Sequence, residues 1–178
     1  MWGGSNYVNH YYPGTNYADI VYGDAGNDQL HGDVLLPSAN MATEYYAPLD
    51  FMPGADELHG GAGNDWLNGD GGNDKLWGDS GADTFEFDAP YQVLDAAWQP
   101  MTITSGDDAV MDFRAAENDK LDLGGQDYIV QDLPDLGVVL TLVDPVTHTT
   151  TGHVTLVGIH TFSTDWVVPD SGHFLLWA

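Results

Sequence analysis

"GGAGNDWLNGDGGNDKLWGD", residues 60–79, packs glycine and aspartate around leucines at a fixed interval. So polar a stretch should be a self-repelling spacer. Yet Leu67 and Leu76 stand nine residues apart, each two residues after an aspartate. A flexible linker has no reason to hold an apolar residue in register. Aligning the chain on aspartate followed two residues later by an apolar residue gives Asp19 with Val21, Asp28 with Leu30, Asp56 with Leu58, Asp65 with Leu67, Asp74 with Leu76 and Asp83 with Phe85. The spacings are 9, 28, 9, 9 and 9, the 28 being one period plus a 19-residue insertion. The copies read "GDAGNDQLH" (23–31), "GGAGNDWLN" (60–68), "GDGGNDKLW" (69–77) and "GDSGADTFE" (78–86). A degraded copy, "GTNYADIVY", occupies 14–22. Another begins at Gly32-Asp33, is interrupted over 34–53, and resumes as "GADELH" at 54–59.

Within a copy the first six residues must turn, because glycine reaches positive φ without a Cβ clash. The last three form a very short strand. Alternation sends Leu67 to one face and Trp66 and Asn68 to the other. Asp65, two residues before Leu67, points to the same inward side.

Composition narrows the partners. The chain has 178 residues, with 28 acidic side chains against 3 basic ones and a net charge of −25. Phosphate polymers and anionic membrane surfaces would be repelled, whereas cations would be attracted, so no nucleic-acid partner is expected. With 43% apolar residues the chain can still build a core. Cysteine is absent, which excludes disulfides and thiolate metal sites. No stretch approaches a membrane span. The N-terminal "MWGGSNYVNHYYPG" has neither the basic nor the apolar region of a cleavable signal. HExxH, GxSxG and lysine-bearing phosphate loops are missing, so no catalytic residue is expected.

The nonapeptide pattern of residues 14–86 resembles the RTX family of secreted calcium-binding proteins. Residues 83–123, with "DTFEF", "GDDAVMDF" and "NDKLDL", resemble the segment that follows such repeats in serralysin-type proteases and in the repeat modules of mannuronan epimerases. The resemblance implies an all-β fold, a right-handed parallel β-roll with two copies per 18-residue coil. It would span residues 1–89, with an N-terminal arm and the insertion at 34–53, and be followed by a β-rich cap over 90–178. In the cap, residues 136–143 and 152–159 read as two strands around a turn-rich connection, and 162–168 as a short helix capped by Ser163 or Thr164.

Turns on one side of such a roll stack about 4.8 Å apart. Asp19 then meets Asp56, Asp28 meets Asp65, Asp56 meets Asp74, and Asp65 meets Asp83. Like charges at that range repel, and a divalent cation reverses the sign. Calcium fits because it takes 6–8 oxygens at about 2.3–2.6 Å and accepts carbonyls, whereas magnesium demands stricter geometry and zinc wants His or Cys. The resemblance further implies which carbonyls contribute. One site would combine Gly61, Gly63 and Asp65 with Gly78, Ser80 and Asp83. A second would combine Asp24, Gly26 and Asp28 with Gly60, Ala62 and Asp65. A third would combine Asp33, Gly54 and Asp56 with Gly69, Gly71 and Asp74. A fourth would run from Thr15, Tyr17 and Asp19 to Gly32 and Asp56. About four Ca²⁺ are thus expected, and a further ion at Asp70, Gly72 and Asp74 would need Asp107 or Asp108. The second-position side chains, of Asp24, Asp33, Asp70 and Asp79, are expected to be solvated.

Outward Trp66, Trp77 and Tyr22, with Trp2, Tyr7, Tyr11, Tyr12 and Tyr17, offer either a sugar-stacking surface or packing for the arm and the insertion. Trp66 and Trp77 are the candidates for a glycan or cell-surface partner. The insertion carries Leu35, Leu36, Met41, Tyr45, Tyr46, Leu49, Phe51 and Met52, too apolar for a free loop. The resemblance also implies a secreted, extracellular protein, exported by type I secretion from a Gram-negative bacterium with an uncleaved C-terminal signal. Three functions follow: a calcium-binding roll that folds after export, a carbohydrate-binding module, or the C-terminal part of a secreted hydrolase.

Overall fold

The computed structural model describes residues 7–8, 18–33, 53–94, 99–169 and 172–174. The expectations for Trp2, Tyr11, Tyr12, Thr15, Tyr17, the Tyr7 side chain, the insertion at 34–52 and the last four residues lie outside them. The strands, in chain order, are β1 (Tyr7–Val8), β2 (Ile20–Tyr22), β3 (Gln29–His31), β4 (Glu57–Ala62), β5 (Trp66–Asn68), β6 (Lys75–Ser80), β7 (Thr84–Glu86), β8 (Tyr91–Leu94), β9 (Pro100–Ile103), β10 (Gly106–Val110), β11 (Lys120–Asp122), β12 (Gln126–Leu133), β13 (Gly137–Val143), β14 (Thr150–Val157) and β15 (Gly172–Phe174).

Each copy ends in a strand, and successive copies deliver their strands to alternate sheets. One sheet runs β1-β3-β5-β7-β11, all parallel. The other begins β2-β4-β6-β10-β14, also parallel. This is the β-roll, two stacked parallel ladders joined by glycine turns. Register aligns the eighth residue of every copy. Leu30, Leu67, Phe85 and Leu121 form one file, and Val21, Leu58, Leu76, Val110 and Leu156 the facing one. Every member is buried. One apolar residue per copy makes a core because the two files close on each other.

The roll sheets run on past residue 89, since β10 stacks on β6 and β11 on β7. The C-terminal part is antiparallel, with β12-β13-β14 as a meander and β15 parallel to β12. Its Val138, Leu140, Leu142 and Val154 join the roll leucines in one core cluster. Gln126, fully buried, ties the parts together. Its Nε2 donates to the carbonyls of Phe87, Asp88 and Leu123, and its Oε1 accepts from Thr151 Oγ1. The expected helix at 162–168 is only a 3-10 turn, Thr164–Trp166, with Ser163 Oγ accepting from Asp165 N–H. Val167 and Val168 leave that turn for the sheet edge beside Leu121, which ends it after one turn.

Candidate metal centres

The sixth residues form two ladders, one on each edge of the roll. On one edge Asp19 N–H donates to Asp56 Oδ1 at 2.7 Å, Asp56 N–H to Asp74 Oδ1 at 2.7 Å, and Asp74 N–H to Asp108 Oδ1 at 2.9 Å. On the other, Asp28 N–H donates to Asp65 Oδ1 at 2.8 Å, Asp65 N–H to Asp83 Oδ1 at 2.9 Å, and Asp83 N–H to Asp119 Oδ1 at 3.1 Å. One carboxylate oxygen per aspartate thus reaches back one coil. The other, Oδ2, is buried without a hydrogen-bond partner among the described residues in Asp56, Asp65, Asp74 and Asp83, residues at most 2% exposed. A buried acceptor with no partner costs about 1–3 kcal/mol, more when charged, so four in one small roll are strong candidates for holding a ligand.

The surroundings identify that ligand's charge. A Cβ added to Gly60 would sit 2.6 Å from Asp65 Oδ2 and 2.9 Å from the carbonyl oxygen of Gly78 in the next coil. At Gly32 the same construction meets Asp56 Oδ2 at 2.4 Å and Gly69 O at 2.6 Å. At Gly23 it meets Gly60 O at 2.4 Å and Asp28 Oδ2 at 3.1 Å. At Gly23, Gly32 and Gly60, then, the carboxylate of the glycine's own copy and the carbonyl of the copy above converge, while at Gly69 and Gly78 the nearest atoms are those of Asp74 and Asp83. The nearest polar atoms at these approaches are oxygens, an arrangement that suits a cation.

Proton affinity shows the same strain. Burial, opposed by the backbone hydrogen bonds, lifts Asp56 to about 6 and Asp83 to about 7. Asp74 rises to about 9, from burial first and the facing Asp108 second. Asp65 and Asp119 are raised, chiefly by burial.

The other turn carbonyls pack against the neighbouring coils. Those of Asp24, Ala62 and Ser80 accept intercoil N–H groups at 2.8, 2.8 and 2.9 Å, from Ala62, Gly26 and Gly63. A carbonyl has two lone pairs, so each keeps one for an ion. Gly26 O lies against Gly63, Gly63 O against Gly81, and Gly54 O against Gly72. Gly61 O accepts from Ser80 Oγ. Gly71 is packed by Pro53 and Ile103. Among the described residues no three Asp, Glu, His or Cys side chains gather around one point. Two carboxylates per step with carbonyls beside them are the kind of oxygen donors that a hard cation such as calcium takes.

The sequence pattern of the RTX calcium-binding nonapeptide repeat matches residues 13–34 and 52–85, in four copies. These are RTX repeats. Among solved structures, the chain is similar to the solution structure of the AlgE6R3 subunit of the Azotobacter vinelandii mannuronan C5-epimerase. Identity is 25% and the TM-score 0.52, over 85% of this chain and 78% of that one. No curated protein sequence matches the chain.

Outside the RTX copies, the structure places residues that the sequence reading missed or left open. Asp108, not Asp107, continues the first ladder. Asp107 is exposed and pairs with His153 Nδ1 at 2.7 Å. Asp119 continues the second ladder, 36 residues after Asp83 and followed by Lys120-Leu121. That spacing is a multiple of nine with the same aspartate-x-apolar signature, so the signal was present. The fifth-position asparagines form a further ladder. Asn27 Oδ1 accepts from Asn64 N–H, Asn64 Oδ1 from Ala82 N–H, and Asn73 Oδ1 from Asp107 N–H, at 2.9–3.0 Å.

Two expectations are corrected. The Asp70 side chain is not solvated but 6% exposed, with Oδ2 accepting from Asp33 N–H and lying 3.3 Å from His31 Nδ1. Asp33 is half-buried and accepts from Gly54 N–H at 3.2 Å, which ties together the two ends of the insertion. Asp24 is exposed as expected and Asp79 half-exposed; with Asp70 they adopt φ of +62° to +68°. Trp66 and Trp77 lie in different sheets, on opposite faces of the roll. Trp66 Nε1 donates to Glu86 Oε2. Trp77 stacks on His59, and His59 on Tyr22, with centroids 4.4 and 4.9 Å apart and planes 12° apart.

Proposed function

We propose that this chain is a calcium-binding module whose roll folds when calcium occupies the spaces between its coils. The observation that carries this reading is the row of buried Asp Oδ2 atoms without a hydrogen-bond partner, two of which, in Asp56 and Asp65, converge with a carbonyl of the adjoining coil. Asp65 with Asp83, Asp28 with Asp65, Asp56 with Asp74, and Asp19 with Asp56 would hold the ions, with the turn carbonyls completing each shell. The ion would supply positive charge between carboxylates that otherwise repel. Before it binds, burying so many uncompensated carboxylates opposes folding.

Such a chain can stay unfolded where calcium is scarce and fold where it is millimolar, which suits export. Secretion, by a type I route reading the C-terminus, is the localisation this behaviour and the RTX repeats support. The role is structural and binding rather than catalytic. Circular dichroism of the whole chain, in chelator and then in excess calcium, tests the proposal. A gain of β signal with calcium is expected, and an unchanged spectrum refutes it.

Glycan binding has less support. Trp66 and Trp77 do not share a surface, and stacking covers both faces of the His59 ring and one face each of Tyr22 and Trp77. A sugar platform needs those faces free.

A further inference from the structure

We infer that residues 103–111, "ITSGDDAVM", are a disguised copy of the repeat and close one additional calcium site against the turn Gly69–Asp74. The inference rests on the calcium reading of the roll and extends it beyond the segments that carry the repeat pattern, which end at residue 85.

The backbone makes the identification. Gly106 stands where the fourth-position glycine stands in the true copies. Its φ is +93°, and an added Cβ would meet Gly72 O at 1.5 Å, as Gly81 would meet Gly63 O and Gly63 would meet Gly26 O, both at 1.5 Å. Counting from it, Asp108 is the sixth residue and holds the Asp74 N–H at 2.9 Å, as Asp83 holds that of Asp65. Asp107 takes the asparagine position, and its N–H donates to Asn73 Oδ1. Val110 takes the eighth position and is fully buried in the leucine file. The 34-residue step from Asp74 hides this register, because the hairpin β8–β9 intervenes between the copies and the spacing is no multiple of nine.

Two buried groups point to a ligand. Asp74 Oδ2 has no partner, and in the true copies that atom serves the space toward the coil above. Ser105 Oγ, in a residue 3% exposed, has no partner among the described residues either. Asp108 itself is 4% exposed. The site would hold a hard divalent cation between the Asp74 and Asp108 carboxylates, with the Ser105 hydroxyl and the Gly72 carbonyl as further oxygens.

The one departure from the repeat makes sense at the end of a stack. First-position glycine is needed where a copy forms the lower half of a site, since its Cβ would fill the space. Ile103 occupies that position here, buried and packed on Gly71. A copy that only closes a site from above can carry isoleucine. The other edge ends differently. Asp119 accepts from both Asp83 and Arg114 N–H, Asp112 accepts from Gly78 and Asp79 N–H, and the Arg114 guanidinium lies 3.3 Å from Asp112. Backbone donors and a guanidinium are already spent on the Asp119 and Asp112 carboxylates there, although Asp83 Oδ2 below them keeps no partner.

Native mass spectrometry of the whole chain in excess calcium counts the ions. Asp108→Asn keeps an acceptor for the Asp74 N–H and should bind one ion fewer than wild type, with the same circular dichroism in calcium. Asp107→Asn should bind as many as wild type. Equal counts for wild type and D108N overturn the inference while leaving the calcium reading intact. A wild type that binds no calcium overturns both. If D108N loses its β signal, Ser105→Ala decides, because it breaks no ladder bond. Loss of one ion at limiting calcium supports the site, and an unchanged titration overturns it.

Discussion

Asp65→Asn should change sign with calcium. The asparagine keeps an oxygen for the Asp28 N–H, which Asp65 Oδ1 now accepts at 2.8 Å. It replaces the partnerless Oδ2 by an amide NH₂ and removes a charge raised in pKa by burial. That NH₂ would enter the space where the Gly78 carbonyl also arrives. Relieving a buried unsatisfied acceptor is worth about 1–3 kcal/mol, so the variant should be more stable than wild type in chelator by about that much. In calcium the order reverses. Asp65 serves two steps of its ladder, toward Asp28 and toward Asp83. Each site held about 100-fold above its Kd contributes about 2.7 kcal/mol, so losing two costs about 5 kcal/mol. The assay follows β signal against a protecting osmolyte such as trimethylamine N-oxide, once in chelator and once in calcium, because osmolytes favour burial without supplying a cation. D65N should fold at lower osmolyte than wild type in chelator and at higher osmolyte in calcium. Equal destabilisation in both would show that Asp65 acts by packing alone, and would refute the metal reading of the ladder.

Other consequences are simpler to read. In chelator, Asp56, Asp83 and Asp74 have folded pKa values of about 6, 7 and 9, above the unfolded value near 4. The folded state then binds more protons, so the stability these groups permit is fully present below about pH 4 and is lost as pH rises through 6, 7 and 9; a chelated β signal that grows with pH would contradict this. Gly63→Ala should prevent coil stacking, because its Cβ would lie 1.5 Å from Gly26 O at a φ of +150°, and calcium should then restore no β signal. Asn64→Ala removes the acceptor of the Ala82 N–H at an exposed edge and should cost about 0.5–1.5 kcal/mol in calcium with the ion count unchanged, read from thermal melts and mass spectrometry. Leu67→Ala, in a fully buried file, should cost about 2–5 kcal/mol by the same melts.

The roll was legible because its rule is local. Leu67 and Leu76 fall inward for the same reason in every copy, and a period of nine survives a 19-residue insertion once the aspartates are aligned. The same rule would have caught Asp119, whose neighbours Lys120 and Leu121 repeat it. Asp108 was ambiguous because the β8–β9 hairpin shifts its spacing, and only a backbone contact, Gly106 over Gly72, restores the register. Asp70 misled for another reason. In "GDGGND" it is indistinguishable from a second-position residue on an open turn, but its burial depends on Asp33 and His31, supplied by the coil below. Trp66 and Trp77 fail as a pair because eleven residues separate them, more than one copy, and each copy changes sheet.

Each ladder aspartate divides its oxygens between two tasks, and that division explains how a net charge of −25 is compatible with a packed roll. Oδ1 is satisfied by a backbone N–H from the coil below whether or not an ion is present, so the carboxylate is held in place before binding. Oδ2 is left without a donor at four steps, so each coil carries a standing electrostatic cost that only a cation or a proton removes. The asparagine at position five spends its oxygen in the opposite direction, on an N–H of the coil above, and fixes coil spacing without charge. The pattern "GND" therefore separates two needs, alignment by asparagine and conditional stability by aspartate. At Ala82, in the last matched copy, the asparagine is absent, while Asp83 still has Asp119 above it and remains.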